Sequence, residues 1–289
     1  MTSSEHRTAH ALETPPEGAP STQTTSSTDS LRLLQISDMH LVADPAGALL
    51  GQKTRQTFEA VLDLSRSAFP APDLVLLTGD LVHDASVAAY AYLATTFATF
   101  RVPFFCLPGN HDSVSLLVDL LDPTARQRTR CVDCATWRLI LLDSTVPDSE
   151  GGHLHQAQLE ELDQALTEDQ RPTLITLHHH PVPVESAWLD RIGLDNGTEL
   201  MSIVHRHPQV RCVLWGHIHQ DFTNTQSDCR LLGSPSTCIQ FQPRSSSFAL
   251  DPTPPGFRWL ILHRDGDIES GIERLAGYPQ PLDANASGY

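Results

Sequence analysis

Leu33-Leu34-Gln35-Ile36-Ser37-Asp38-Met39-His40 runs from a short apolar stretch into an acid and a histidine. The pattern recurs four times. Leu74-Val75-Leu76-Leu77 leads to Gly79-Asp80, and Phe104-Phe105-Cys106-Leu107 leads to Gly109-Asn110-His111-Asp112. Leu174-Ile175-Thr176-Leu177 leads to His178-His179-His180-Pro181, and Cys212-Val213-Leu214-Trp215 to Gly216-His217-Ile218-His219. Apolar runs of this length read as buried strands, which puts each polar cluster at a strand's carboxyl end. Five strand ends therefore converge on one place. Two Asp, one Asn and at least four His, gathered without cysteine, supply oxygen and imidazole donors for about two divalent transition metals rather than one.

Outward from these runs, helical spacing fills the intervals. Gln52 to Phe69 carries Phe58, Val61, Leu62 and Ser65 on one stripe, and His83 to Phe100 carries Leu93 and Phe97. Gln156 to Thr167 and Asn196 to His207 read as further helices, and Trp137 to Leu142 and Phe257 to His263 as further strands. Strands alternating with helices favour an α/β architecture with its site at the strands' carboxyl ends. Between Gln220 and Pro255 helical periodicity disappears, so loops, short strands and a candidate lid are expected there.

Composition narrows the function classes. The 289 residues carry a formal net charge of −16, with 35 acidic against 19 basic side chains and a single lysine, Lys53. That balance argues against a sequence-independent grip on nucleic acid, which needs clustered Lys and Arg. An acidic protein that takes an anionic ligand needs a local positive centre, and a metal pair supplies one. The pair Cys131 and Cys134 stands without a second Cys pair or neighbouring His, and reads as reduced thiols rather than zinc ligands. Met1 to Ser30 has neither a basic n-region nor an apolar h-region and reads as a disordered polar extension, with residues 31–289 as the catalytic domain. Apolar runs fall well short of the roughly 20 residues of a membrane span, so no membrane partner and a cytoplasmic location are expected.

The ordered set D-x-H, G-D, G-N-H-D, a later His before Pro, and G-H-x-H resembles the signature of the calcineurin-like metallophosphoesterase superfamily. Beyond these motifs, Leu31 to Tyr289 is similar to the bacterial class III 3′,5′-cyclic AMP phosphodiesterases, including Pro235-Ser236-Thr237-Cys238-Ile239-Gln240-Phe241 and the closing Ser287-Gly288-Tyr289. The resemblance implies a four-layer αββα sandwich, two facing mixed β-sheets flanked by helices. It also implies hydrolysis of 3′,5′-cyclic AMP to 5′-AMP, by hydroxide held between two divalent metal ions, iron or manganese, with zinc or cobalt as alternatives. Carried over residue by residue, it places Asp38, His40, Asp80 and His219 around one metal and Asp80, Asn110, His179 and His217 around the other, with Asp80 bridging. His111 becomes the proton donor to the leaving oxygen, with Asp112 to orient it, and His40, Asp80, Asn110, His111 and His219 the phosphate contacts.

Within His178-His179-His180, strand alternation turns His179 away from its neighbours, and the family's His-x-Pro spacing selects His179. His178 is next in line, and His180 lies behind the ligands or faces substrate. His83, Asp84, His153, His155, His205 and His207 fall outside the motifs and read as solvated or capping groups, Trp188 and Trp215 as packing residues, and Arg244 as ordinary surface. The competing functions are a broad phosphodiesterase acting on 2′,3′-cyclic nucleotides or glycerophosphodiesters, and a non-catalytic metal- and nucleotide-binding regulator. The substrate partner is a small molecule, and the chain is expected to be a monomer or homodimer.

Overall fold

The computed structural model describes residues 30–279, 281–283, 286 and 288. The expected extension before Ser30 lies outside the described residues, as do Ser287 and Tyr289 of the closing tripeptide. Ser30 itself already belongs to the first strand, Ser30–Ile36.

Two mixed sheets face each other. The first has five strands in the order Ile268–Arg274, Gly256–His263, Ser30–Ile36, Leu74–Thr78 and Phe104–Leu107. The last three run parallel. The second has six, in the order Phe222–Gln226, Cys229–Gly233, Val210–Trp215, Thr173–Leu177, Trp137–Leu142 and Thr129–Cys134. Its four inner strands are parallel.

Alternation of side chains along these strands sorts the core into three layers. Leu33, Leu74 and Leu76 meet Leu139, Leu141, Leu174 and Leu214 between the sheets. Their neighbours Leu34, Ile36, Val75 and Leu77 point the other way, onto Phe58, Val61 and Leu62 of helix Thr54–Ala68 and Tyr90, Leu93 and Phe97 of helix Val87–Ala98. On the far side, Ile140, Ile175 and Val213 pack on Leu159, Leu162 and Leu166 of helix Gln156–Glu168 and Leu200, Ile203 and Val204 of helix Gly197–Arg206. The four layers are thus helix, sheet, sheet, helix, as the resemblance implied. Strands buried on both faces account for the continuous apolar runs of the sequence.

Among the described residues, helix Val114–Leu120 and the strands Thr129–Cys134 and Ile268–Arg274 escaped sequence reading, as did the small ribbon Ala48–Leu49 with Gln52–Lys53 and the single 3-10 turn Pro123–Arg126. The two longer strands lie at sheet edges, where one face meets solvent and the apolar signal thins. The second helix begins at Val87 rather than His83, because Asp84 accepts the Ser86 N–H and Ala85 takes φ 49°, which makes a turn of residues 83–86. Cys131 is exposed and Cys134 buried, on opposite faces of one strand. Gln220 to Pro255 holds the expected short strands, including the ribbon Gln240–Phe241 with Leu250–Asp251. Among the described residues no helix is long and apolar enough to cross a membrane.

Candidate active site

The loops that leave the carboxyl ends of the parallel strands are tied to one another through their backbones. Asp38 N–H donates to Gly79 O at 3.0 Å, His40 N–H to Asp80 O at 3.0 Å, and Gly216 N–H to His178 O at 3.2 Å. Across the two sheets, Gln35 Nε2 donates both to Thr78 Oγ1 at 2.9 Å and to Trp215 O at 3.0 Å. Asp38, His40, Asp80, His217 and His219 all adopt left-handed backbone, with φ between 45° and 66°. Asp and His tolerate this region better than most residues, yet such positions persist only where surrounding bonds hold them. Gly79, at φ 95°, lies where a Cβ would strike the His178 ring, and a Cβ on Gly109 would strike the Asp80 carboxylate. The motif glycines therefore let two loops touch the ligand side chains.

Asp38, His40, Asp80, His178, His179, His217 and His219 are all buried. Asp80 Oδ1 accepts the His111 N–H at 3.0 Å, which leaves Oδ2 for the centre. That oxygen lies 3.7 Å from His40 Nε2 and 3.4 Å from His178 Nε2, between the two histidines. His219 Nδ1 donates to Ile239 O at 2.8 Å, so its Nε2 presents a lone pair 3.5 Å from Asp38 Oδ1 and 3.2 Å from His40 Nε2. Asp38, His40 and His219 thus converge as one group. His178 Nδ1 donates to Thr78 O at 2.8 Å and turns Nε2 to within 3.2 Å of Asn110 Oδ1.

Sequence reading ranked His179 ahead of His178; the geometry reverses that order. Strand Thr173–Leu177 stops before the histidines, so alternation no longer applies, and the two rings turn toward each other with centroids 4.9 Å apart. Both nitrogens of His179 are engaged, Nδ1 with Ser144 Oγ at 2.8 Å and Nε2 with Glu150 O at 3.2 Å. His179 nevertheless stays within metal-holding distance of His178 and His217. His180 stacks on His217, its centroid 5.7 Å away.

The charges suit a cation. Asp38 Oδ2 and both ring nitrogens of His217 are buried with no hydrogen-bond partner among the described residues. Orphaned buried acceptors of this kind are costly unless something positive meets them. Burial, then the neighbouring His179, pushes the His217 imidazole down, leaving it neutral with a lone pair to offer. Burial alone would lower His178 too, but the Asp80 carboxylate outweighs it and holds the ring at about 9. Two carboxylates, one amide oxygen and four imidazoles fit a pair of divalent transition metals.

Asp112 does not hold His111 as expected. Its carboxylate accepts the N–H groups of Leu81 at 3.1 Å, Val82 at 3.1 Å and Gly109 at 2.9 Å, and the Tyr90 hydroxyl at 2.7 Å. Asp112 therefore clamps the Gly79-Asp80 loop to the Gly109-Asn110-His111 loop. Burial, reinforced by the Asp80 charge, raises its carboxyl to about 6. Tyr90, missed in the sequence, also accepts the Ser113 N–H at 2.9 Å. His83 was read as solvated, yet its Nδ1 lies 3.3 Å from His40 Nδ1 and its ring 4.6 Å from that of His111. No sequence signal marked it, because the turn at residues 83–86 brings it back. Arg244 ion-pairs with Glu185 at 2.9 Å on the surface. A cleft of about 400 Å³ opens over the centre, lined by Asn110, His111 and His217 together with Trp188, Ile192 and Phe248.

A profile of the calcineurin-like phosphoesterases matches residues 31–221. The 3′,5′-cyclic adenosine monophosphate phosphodiesterase CpdA of Pseudomonas aeruginosa is 41% identical over 90% of this chain and 96% of its own length. A 3′,5′-cyclic-nucleotide phosphodiesterase of Nostoc is 39% identical over 88% of this chain and 95% of its own. Among solved structures, a dimetal phosphatase from Danio rerio superposes with a TM-score of 0.59 at 19% identity, covering 84% of this chain and 98% of that one. A purple acid phosphatase from yellow lupin superposes at 0.58 with 13% identity, over 89% of this chain and 52% of that one.

Proposed function

The chain belongs to the calcineurin-like phosphoesterase family, and from that premise we propose that it hydrolyses 3′,5′-cyclic AMP to 5′-AMP. The observation that supports hydrolysis is the set of buried, unmet electron pairs on Asp38, Asp80 and His217. The substrate is supported by the cyclic nucleotide phosphodiesterases that are about 40% identical to this chain over nearly their whole length.

Asp38, His40, Asp80 and His219 would hold one metal, and Asp80, Asn110, His178 and His217 the other, with His178 in the place first given to His179. Iron or manganese is our assignment, with zinc or cobalt as alternatives. When bound, the pair would lower the pKa of water toward neutrality and draw charge from the phosphoryl oxygens.

The chain's own groups do the rest. Asp80 Oδ1, by accepting the His111 N–H, places that imidazole at the cleft. The His111 imidazole would give a proton to the departing 3′-oxygen as its bond to phosphorus breaks, a contribution worth about 10²- to 10⁴-fold in rate. His40, Asp80, Asn110 and His219 surround the phosphate. Asp112 and Tyr90 hold the two loops in register so that Asn110 and His111 keep their positions. We take the place of action to be the cytoplasm, which fractionation of the producing cell tests.

Comparing kcat/KM for 3′,5′-cyclic AMP, 2′,3′-cyclic AMP and an aryl phosphodiester tests the substrate, and negligible turnover of the first defeats it. Unchanged hydrolysis in both Asn110→Ala and His111→Ala would instead overturn the catalytic roles given to these residues, whereas absence of turnover of any of the three compounds by metal-loaded protein would favour the non-catalytic regulator.

A further inference from the structure

The segment Gln240–Asp251 folds back on itself beside the metal ligands. Its ends pair as a short antiparallel ribbon, and Gln242 N–H donates to Ala249 O at 2.8 Å. Its turn is fastened to the Glu185 loop by Arg244, whose N–H donates to Ser186 Oγ at 3.0 Å and whose guanidinium meets Glu185. Three aromatic rings connect this segment to the centre. Phe241 stacks on the ligand His219, with centroids 4.2 Å apart and planes inclined by 14°. Trp188 stands edge-on to Phe241 at 5.0 Å and to Phe248 at 5.3 Å. Phe241 and Phe248 are themselves 5.6 Å apart.

The three rings differ in what they leave open. Phe241 is 1% exposed and Trp188 9%, so both are spent on packing. Phe248 is only half-buried, and it lines the same cleft as Asn110, His111 and His217. A half-buried apolar ring in the cleft lining, in edge contact with two other rings, offers a sequence-tolerant stacking surface, because every nucleobase has a π-face. Ser246 and Ser247 bring hydroxyls to the same lining, suited to the polar edge of a nucleoside.

We propose that Phe248 is the specificity-determining residue of this site, stacking on the nucleobase so that phosphodiesters carrying a flat heterocycle are preferred over those without one. This rests on the cyclic nucleotide reading above, and extends it to base recognition. The Gln240–Asp251 ribbon then serves as the nucleoside-holding wall of the cleft, and the Arg244 tie sets its position.

The test compares full-length enzyme, assayed with added manganese, on 3′,5′-cyclic AMP and on abasic ribose 3′,5′-cyclic phosphate. Losing one stacking ring should lower the ratio of the two kcat/KM values in Phe248→Ala by about 5- to 100-fold, mostly through KM for cyclic AMP. Phe248→Tyr should restore most of the ratio. The ratio does not depend on the fraction of protein that is folded or metal-loaded, so a fragile variant still gives an answer. An unchanged ratio in Phe248→Ala overturns the proposal. Wild-type protein that hydrolyses neither compound overturns the proposed function, and this inference with it.

Discussion

At the residue scale, the proposed exchange of His178 for His179 follows from the partners of the two rings. His178 has its Nδ1 fixed on the Thr78 carbonyl and its Nε2 directed at Asp80 and Asn110, while both nitrogens of His179 are engaged by Ser144 and Glu150. His178→Ala should therefore lose about one metal ion per chain, as elemental analysis would read it. His179→Ala should keep both ions and weaken their binding by about 10- to 100-fold, the range for partners behind the ligands. Equal metal loss in the two variants would undo the assignment. Proton competition follows from the same residue. With its pKa raised to about 9, His178 carries a proton at pH 7, which an incoming cation must displace. Metal affinity of the metal-free protein should accordingly rise with pH, by up to about tenfold per unit between pH 7 and about 9. Competition titrations against a chelator at pH 6.5, 7.5 and 8.5 would check the slope, and a flat response would contradict it.

At the scale of the element, the loops rather than the strands carry the chemistry, and each is held by a bond that another loop supplies. Asp112 joins two of them, and Tyr90, from helix Val87–Ala98, bonds to Asp112 and to the Ser113 N–H at the start of the next helix. Tyr90→Phe leaves that N–H without its acceptor. The expected cost is about 1 to 3 kcal/mol of stability, readable by urea denaturation, together with a fall in kcat larger than any change in metal content. His111→Ala should lower kcat by about 10²- to 10⁴-fold with metal content retained, since in the proposed reaction its side chain serves as acid while its backbone N–H donates to Asp80. Loss of metal in that variant would make His111 a structural residue instead.

At the scale of the whole molecule, the centre is a seam between two sheets. Asp38, His40, Asp80 and Asn110 follow strands of the first sheet, and His178, His217 and His219 follow strands of the second. Cations bound across such a seam stabilise the folded state only, by about 2.7 kcal/mol at a free concentration a hundred times Kd. Thermal unfolding with added manganese should thus lie several degrees above that in chelator. Identical midpoints would argue against metals binding to both halves at once.

The repeated apolar run followed by an acid, amide or histidine was enough to locate the strands, their shared edge and most of the buried acids and histidines that gather there. Strands buried on both faces must be continuously apolar, and their first polar residues must mark where they end. Helix stripes such as Phe58, Val61, Leu62 and Ser65 were equally legible, because burial of one face imposes a period. The edge strands Thr129–Cys134 and Ile268–Arg274 were not, since a strand with one solvated face needs little apolar signal. Which of His178 and His179 faces Asp80, what Asp112 holds, and the return of His83 to the cleft were decided by tertiary structure alone. Those choices depend on left-handed turns and on partners 30 to 100 residues away, as with Asp112 to Val82 and His178 to Thr78. Local periodicity carries no information over such separations; only the packed chain brings the partners together.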